Sequence, residues 1–120
     1  IMDIKSVRMP GMVEVSDPGT AGAIIPPAHH NMICIMVTGG SGETRSLTPP
    51  SFAGQTCTVM LSTDGGGDAV VTASPAINTT GNNTLTFADA GDFIRLFAGD
   101  EGSGLAWRVV VNNGVALSTV

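Results

Sequence analysis

The sequence predicts an all-β protein of a single domain, an antiparallel β-sandwich, a jelly-roll-like fold or a small barrel. Three observations predict it. Short runs of alternating or β-branched residues recur along the whole 120-residue chain. Clusters of Gly, Pro, Asn and Asp separate those runs. No stretch combines apolar residues at helical spacing with capping signals. The length suits one domain with a real hydrophobic core.

Each element has its own warrant. Ile4 to Met9 and Met12 to Ser16 read as short extended segments broken by Pro10-Gly11. Val15 to Ala28 carries Asp17-Pro18-Gly19 and Pro26-Pro27, where proline fixes φ and removes a ladder donor. It reads as a loop with a short edge segment inside it. Residues 1–28 are therefore expected to form an N-terminal arm and loop segment, and residues 29–120 the β-sandwich domain.

His30 to Thr38 is the most hydrophobic strand. Alternation sends Met32, Cys34 and Met36 to one face and Ile33, Ile35 and Val37 to the other. Both faces are apolar, so both need cover, one from a second sheet and one from a neighbouring subunit. Met32, Cys34 and Met36 are assigned to the subunit interface of a homotrimer. Glu43 to Leu47 follows and ends at Pro49-Pro50. Gln55 to Ser62 places Cys57, Val59 and Leu61 on one face and Thr56, Thr58 and Met60 on the other.

Asp64-Gly65-Gly66-Gly67-Asp68 is a strong turn signal, since glycine reaches positive φ without steric cost. Ala69 to Ala73 is β-branched and extended, and Asn78 to Asn83 is a turn cluster. Thr84 to Phe87, Asp92 to Phe97 and Leu105 to Val111 are strands. Asn112-Asn113-Gly114 is a hairpin signal, and Val115 to Leu117 closes the chain. In the late strand Leu105, Trp107, Val109 and Val111 share a face. Val59, Leu61, Trp107 and Val109 are expected in the core. The spacing is not a solenoid repeat, because no residue pattern recurs at a fixed period.

Charge is the scarcest commodity in this chain. Only 12% of residues are charged and 42% are hydrophobic, where a soluble domain typically has about a quarter charged. Mean hydropathy is +0.30, yet no apolar run approaches the roughly 18 residues that span a bilayer. Such a surface is best covered by other protein, and no membrane partner is expected. Five basic residues against ten acidic ones, with a pI near 4.6, argue against nucleic acid, which demands a basic stripe. Lys5, Arg8, Arg45, Arg95 and Arg108 are scattered, and aromatic residues are only 4%.

No constellation of catalytic or metal-binding residues stands out, and no cofactor is expected. Adjacent His29 and His30 would point to opposite faces of a strand and so fail to share a metal. Asp64 and Asp68 lack the further oxygen ligands of a calcium loop. Asp89, Asp92, Asp100 and Glu101 fall on predicted loops, where such residues cap turns; a glycosidase cleft would add aromatic platforms. Ser51, Ser62 and Ser103 are not in a nucleophile-elbow pattern. Cys34 and Cys57 lie in apolar strand contexts as small buried hydrophobes, with a cross-strand disulfide as the alternative. The opening residues, interrupted by Asp3, Lys5 and Arg8, do not read as a secretory signal, so folding in a cytoplasm with reduced thiols is expected. The sequons at Asn78-Thr79-Thr80 and Asn82-Asn83-Thr84 are then turn composition.

Read in order, Gly42-Glu43-Thr44-Arg45-Ser46-Leu47, Gly54-Gln55, Asp64-Gly65-Gly66-Gly67-Asp68, Leu85-Thr86-Phe87-Ala88-Asp89-Ala90-Gly91-Asp92, Leu105-Ala106-Trp107-Arg108-Val109-Val110 and Asn113-Gly114-Val115-Ala116-Leu117 carry a resemblance. The run, residues 39 to 118, resembles small β-rich structural proteins of tailed bacteriophages, of the head decoration or cement type. The resemblance implies a non-enzymatic virion component on the outer capsid surface, a homotrimer that clamps major capsid protein subunits after shell expansion. A fibre or spike component recognising a host surface is the alternative. Within the N-terminal segment, Met2, Ile4, Lys5, Arg8 and Met9 are expected to form the capsid- or partner-contacting arm, adding an edge strand to a neighbour.

Overall fold

A computed structural model describes residues 12–119. The described residues build two five-stranded sheets packed face to face. Sheet A contains β1 (Met12–Val15), β3 (Asn31–Val37), β5 (Thr56–Thr63), β8 (Phe93–Asp100) and β9 (Leu105–Asn113), in that spatial order. Sheet B contains β2 (Gly22–Ile24), β4 (Glu43–Leu47), β6 (Ala69–Ala73), β7 (Thr84–Phe87) and β10 (Ala116–Ser118), and its strands follow the same sequence across the layer. Among the described residues there is no helix.

Connectivity departs from the antiparallel expectation. Successive strands from β1 to β6 alternate between the two sheets, so each returns parallel to the strand two before it. Four of the eight pairings are parallel: β1 with β3, β3 with β5, β2 with β4 and β4 with β6. The remaining four are antiparallel. A parallel pair needs a crossover, and here the crossover is a strand of the opposite sheet. The first half of the chain is thus a flattened coil, wound two and a half times from β1 to β6. Its turns are unequal: in sheet A one runs from Met12 to Asn31 and the next from Met32 to Cys57, and in sheet B they run from Gly22 to Arg45 and from Glu43 to Ala69. Unequal turns leave no fixed period in the sequence, which is why the absence of a repeat did not exclude a coil.

Two turn signals work differently from the hairpins they resemble. Asp64 to Asp68 carries the chain from sheet A to sheet B and stacks on the preceding arch, residues 38–42. The Gly65 amide donates to the Thr38 carbonyl and the Gly67 amide to the Gly39 carbonyl, both at 3.0 Å. A Cβ on Gly67 would overlap the Ser41 carbonyl, and φ at Gly66 is +117°. One glycine is there for room and its neighbour for backbone conformation. Asn112 to Gly114 likewise sends the chain across to β10, which pairs with β7 rather than β9. The Asn112 side chain closes that turn by accepting from the Val115 amide and donating to its carbonyl.

At the opposite end, Gln55 ties two arches together. Its fully buried side chain donates to the carbonyls of Pro27 and His30, each at 2.9 Å, and accepts from the Ser51 amide at 2.7 Å. A buried amide so satisfied carries no desolvation penalty that is left unmet.

The core lies between the sheets. Met32, Cys34 and Met36 of β3, Cys57, Val59 and Leu61 of β5 and Ile94 and Leu96 of β8 face Leu47, Val71, Leu85 and Phe87 of sheet B. Trp107 is fully buried, and Val109 packs against the cluster while remaining partly exposed. Within residues 12–28, β1 and β2 are edge strands of the two sheets.

Candidate interaction surface

Met32, Cys34 and Met36 are wholly inside the subunit and present no surface to a partner. The side chains of β3 that reach the surface are those of its opposite face. Ile33 and Ile35 are partly exposed and Val37 is 51% exposed. Alternation showed both faces to be apolar; it carried no information about which one the second sheet would cover. The arm residues Met2, Ile4, Lys5, Arg8 and Met9 lie outside the described residues.

Register relations extend this face across all of sheet A, because residues paired across a ladder point the same way. One row runs Glu14, Ile33, Thr58, Arg95, Val111. The next runs Ile35, Met60, Phe93, Asn113. Thr56, Phe97 and Arg108 form another, with Met12 beside Asn31 at its far side. Phe97 is 40% exposed, and Met12 and Val111 are each 45% exposed. The ladder slips beside Val110, between Arg95 and Leu96. That bulge turns Val111 outward, away from the face it was expected to share with Trp107 and Val109.

Sheet B presents a different exterior. Ala23, Thr44, Ser46, Val70, Thr72, Thr86, Ala116 and Ser118 alternate with its core residues. That face is small-residue, hydroxyl-rich and without an ionisable group. The molecule thus has one face with an apolar centre, Ile33, Ile35, Met60 and Phe93, flanked by Glu14, Arg95 and Arg108, and one broad neutral polar face.

The charged residues at the margins are occupied in holding loops. Arg45, its side chain 1% exposed, pairs with Asp17 at 2.6 Å and with Glu43 at 3.0 Å, and donates to the Val37 carbonyl. Asp17 also accepts from the amides of Gly19 and Val37. Burial works against ionisation of Asp17, but these donors outweigh it and hold its carboxyl below the ordinary value of 3.8. A depressed carboxyl pKa stabilises the fold above the unfolded-state value, and that stability is lost as pH falls through the folded one. Asp17→Asn is expected to cost about 2 kcal/mol at neutral pH, the scale of a hydrogen bond to a charged group. In urea titrations the gap from wild type should shrink below about pH 4. A gap that persists undiminished at pH 3 would exclude this clamp.

Other candidate chemical groups are dispersed. His29 and His30 sit exposed on the turn before β3. Asp64 accepts from the Gly66 amide, Asp92 from those of Ala88 and Asp89, and Asp100 from those of Gly102 and Gly104. Ser103 lines a cleft of about 280 Å³ with Asn78, Glu101 and Arg108. The Arg108 guanidinium there is engaged by Glu101 and by the carbonyls of Ala76 and Trp107. Cys34 and Cys57 are free thiols in the core. Burial pushes the Cys34 thiol up to about 11 and that of Cys57 higher still, so both stay protonated. Among the described residues no group of three or more His, Cys, Asp or Glu side chains is placed to hold a metal ion.

Comparison of the chain with protein-family models and with curated proteins found no match.

Proposed function

We propose that this protein is a non-enzymatic virion structural subunit, a capsid decoration (cement) protein that binds the outer head as a homotrimer and stabilises the expanded shell. The observation that carries the reading is the pair of broad sheet faces, one with an apolar field across β3, β5 and β8 and the other without an ionisable group. A subunit held between neighbours hides such faces, whereas a free monomer must keep them wet. The resemblance of residues 39–118 to phage head decoration proteins supplies the setting, with the major capsid protein as the partner. The physical role follows from linkage. A ligand that binds only the expanded shell stabilises it by RT ln(1 + [L]/Kd) per site, and three contacts engaged together add avidity.

The test is electron microscopy of expanded phage heads, stripped of this protein and incubated with labelled full-length chain. Density repeating over the head faces is the expected result. The chain lacking residues 1–9, with an unchanged circular dichroism spectrum, should leave those heads bare if the arm makes the capsid contact. Labelling of the tail or fibres alone overturns the decoration reading in favour of host recognition.

A further inference from the structure

We propose that copies of this chain associate through the outer face of sheet A, with Arg95 of one copy paired to Glu14 of the next. The inference deepens the reading of the protein as an assembling subunit and rests on it. Three observations lead to it. The first is the apolar field itself: Ile33, Ile35, Met60 and Phe93 sit at its centre in adjoining rows. The second is area. Five strands at about 4.8 Å spacing and six residues at about 3.3 Å make a face of roughly 24 by 20 Å. That plan area, about 480 Å², is about three-fifths of the roughly 800 Å² per partner of a standard interface.

The third observation selects a second copy as the occupant. Glu14 and Arg95 lie in one row, on either side of Ile33 and Thr58. Arg45 and Arg108 both form ion pairs, whereas the Arg95 guanidinium donates to the Thr58 hydroxyl at 3.2 Å and has no ion pair among the described residues. Glu14 has none among them either. Three strand spacings, about 14 Å, keep the two charges from pairing within one molecule. Opposite charges at the same level on opposite sides of an apolar field are self-complementary. Rotation about an axis parallel to the strands keeps each row level and brings the β8 side of one copy against the β1 side of the next. Twofold and threefold axes both satisfy that condition.

Sedimentation velocity on the full chain at about 1–100 μM tests the pairing through a charge swap. Wild type should sediment as an assembly. Glu14→Arg and Arg95→Glu should each raise its dissociation constant about tenfold or more, because like charges then meet at every contact. Glu14→Arg/Arg95→Glu should return it to within a few-fold of wild type. Both positions are on the exterior, and circular dichroism checks that the variants fold. Monomeric wild type, single variants that associate unchanged, or a double variant weaker than either single one would each overturn the proposal. Association through this face without binding to phage heads keeps the interface and removes the capsid reading. Head binding by a monomeric chain removes the interface and the homotrimer and keeps the capsid contact.

Discussion

Trp107→Ala should lower the unfolding free energy by about 3–5 kcal/mol, the usual cost of emptying a large buried aromatic site. Trp107 has no exposed surface. It projects from β9 into the space between the sheets, and its Nε1–H donates to the Thr48 carbonyl just beyond β4 at 3.0 Å. The substitution therefore removes packing between the two layers and leaves a carbonyl without its donor. Both losses act on the same contact, so they add to one large effect on a small domain. Chemical denaturation with the wild-type slope retained would show the loss directly. A change below about 1 kcal/mol would contradict the placement of this side chain. The buried indole also offers no ring face on which a sugar could stack, so any glycan recognition must use other residues.

Gly67→Ala should be comparably damaging, costing about 3 kcal/mol or more and preventing folding at the upper end. The added Cβ would overlap the Ser41 carbonyl and crowd the Gly42 amide, and backbone atoms in a stacked arch cannot move aside singly. Gly39→Ala on the facing arch is the control. Its Cβ would meet only the far end of the Glu43 side chain, at 3.6 Å, an ordinary contact. That variant should melt within a few degrees of wild type. Equal melting temperatures for the two variants would mean that the arches do not stack as described.

Both effects trace to places where the sequence carried a signal but not its geometry. The glycines of residues 65–67 announced a turn, and their composition alone suits a hairpin or an arch equally. Which one forms depends on whether the following strand pairs with the strand just left or crosses to the other layer. Here β6 finds β4, already in place in sheet B, and the arch must lie against the one before it. The same reason explains Asn112 to Gly114. β10 satisfies its backbone on the open edge of β7, a choice made by the far side of the sandwich.

The candidate surface shows a similar division. The alternation in His30 to Thr38 separated Met32, Cys34 and Met36 from Ile33, Ile35 and Val37 and showed that both sets need cover. Side-chain chemistry does not distinguish the two sets, and only the docking of sheet B put the first inside. Arg45 was one of five scattered cations in the sequence. Its burial became evident only with Asp17 and Glu43 folded around it, since buried charge persists only where partners compensate its desolvation. Arg95 and Glu14 gained meaning only from the register that aligns them in one row.

By itself the sequence determined the all-β class, the position of nearly every strand, the edge character of Gly22–Ile24 and the poverty of charge. Strand formation and turn placement are local, and period-two alternation writes them into neighbouring residues. Sheet order, parallel pairing, the inward choice of face and the apolar exterior of sheet A were decided by the tertiary structure. Each is a relation between segments far apart in the chain, set by which hydrophobic faces meet and which backbone edges remain free when they do.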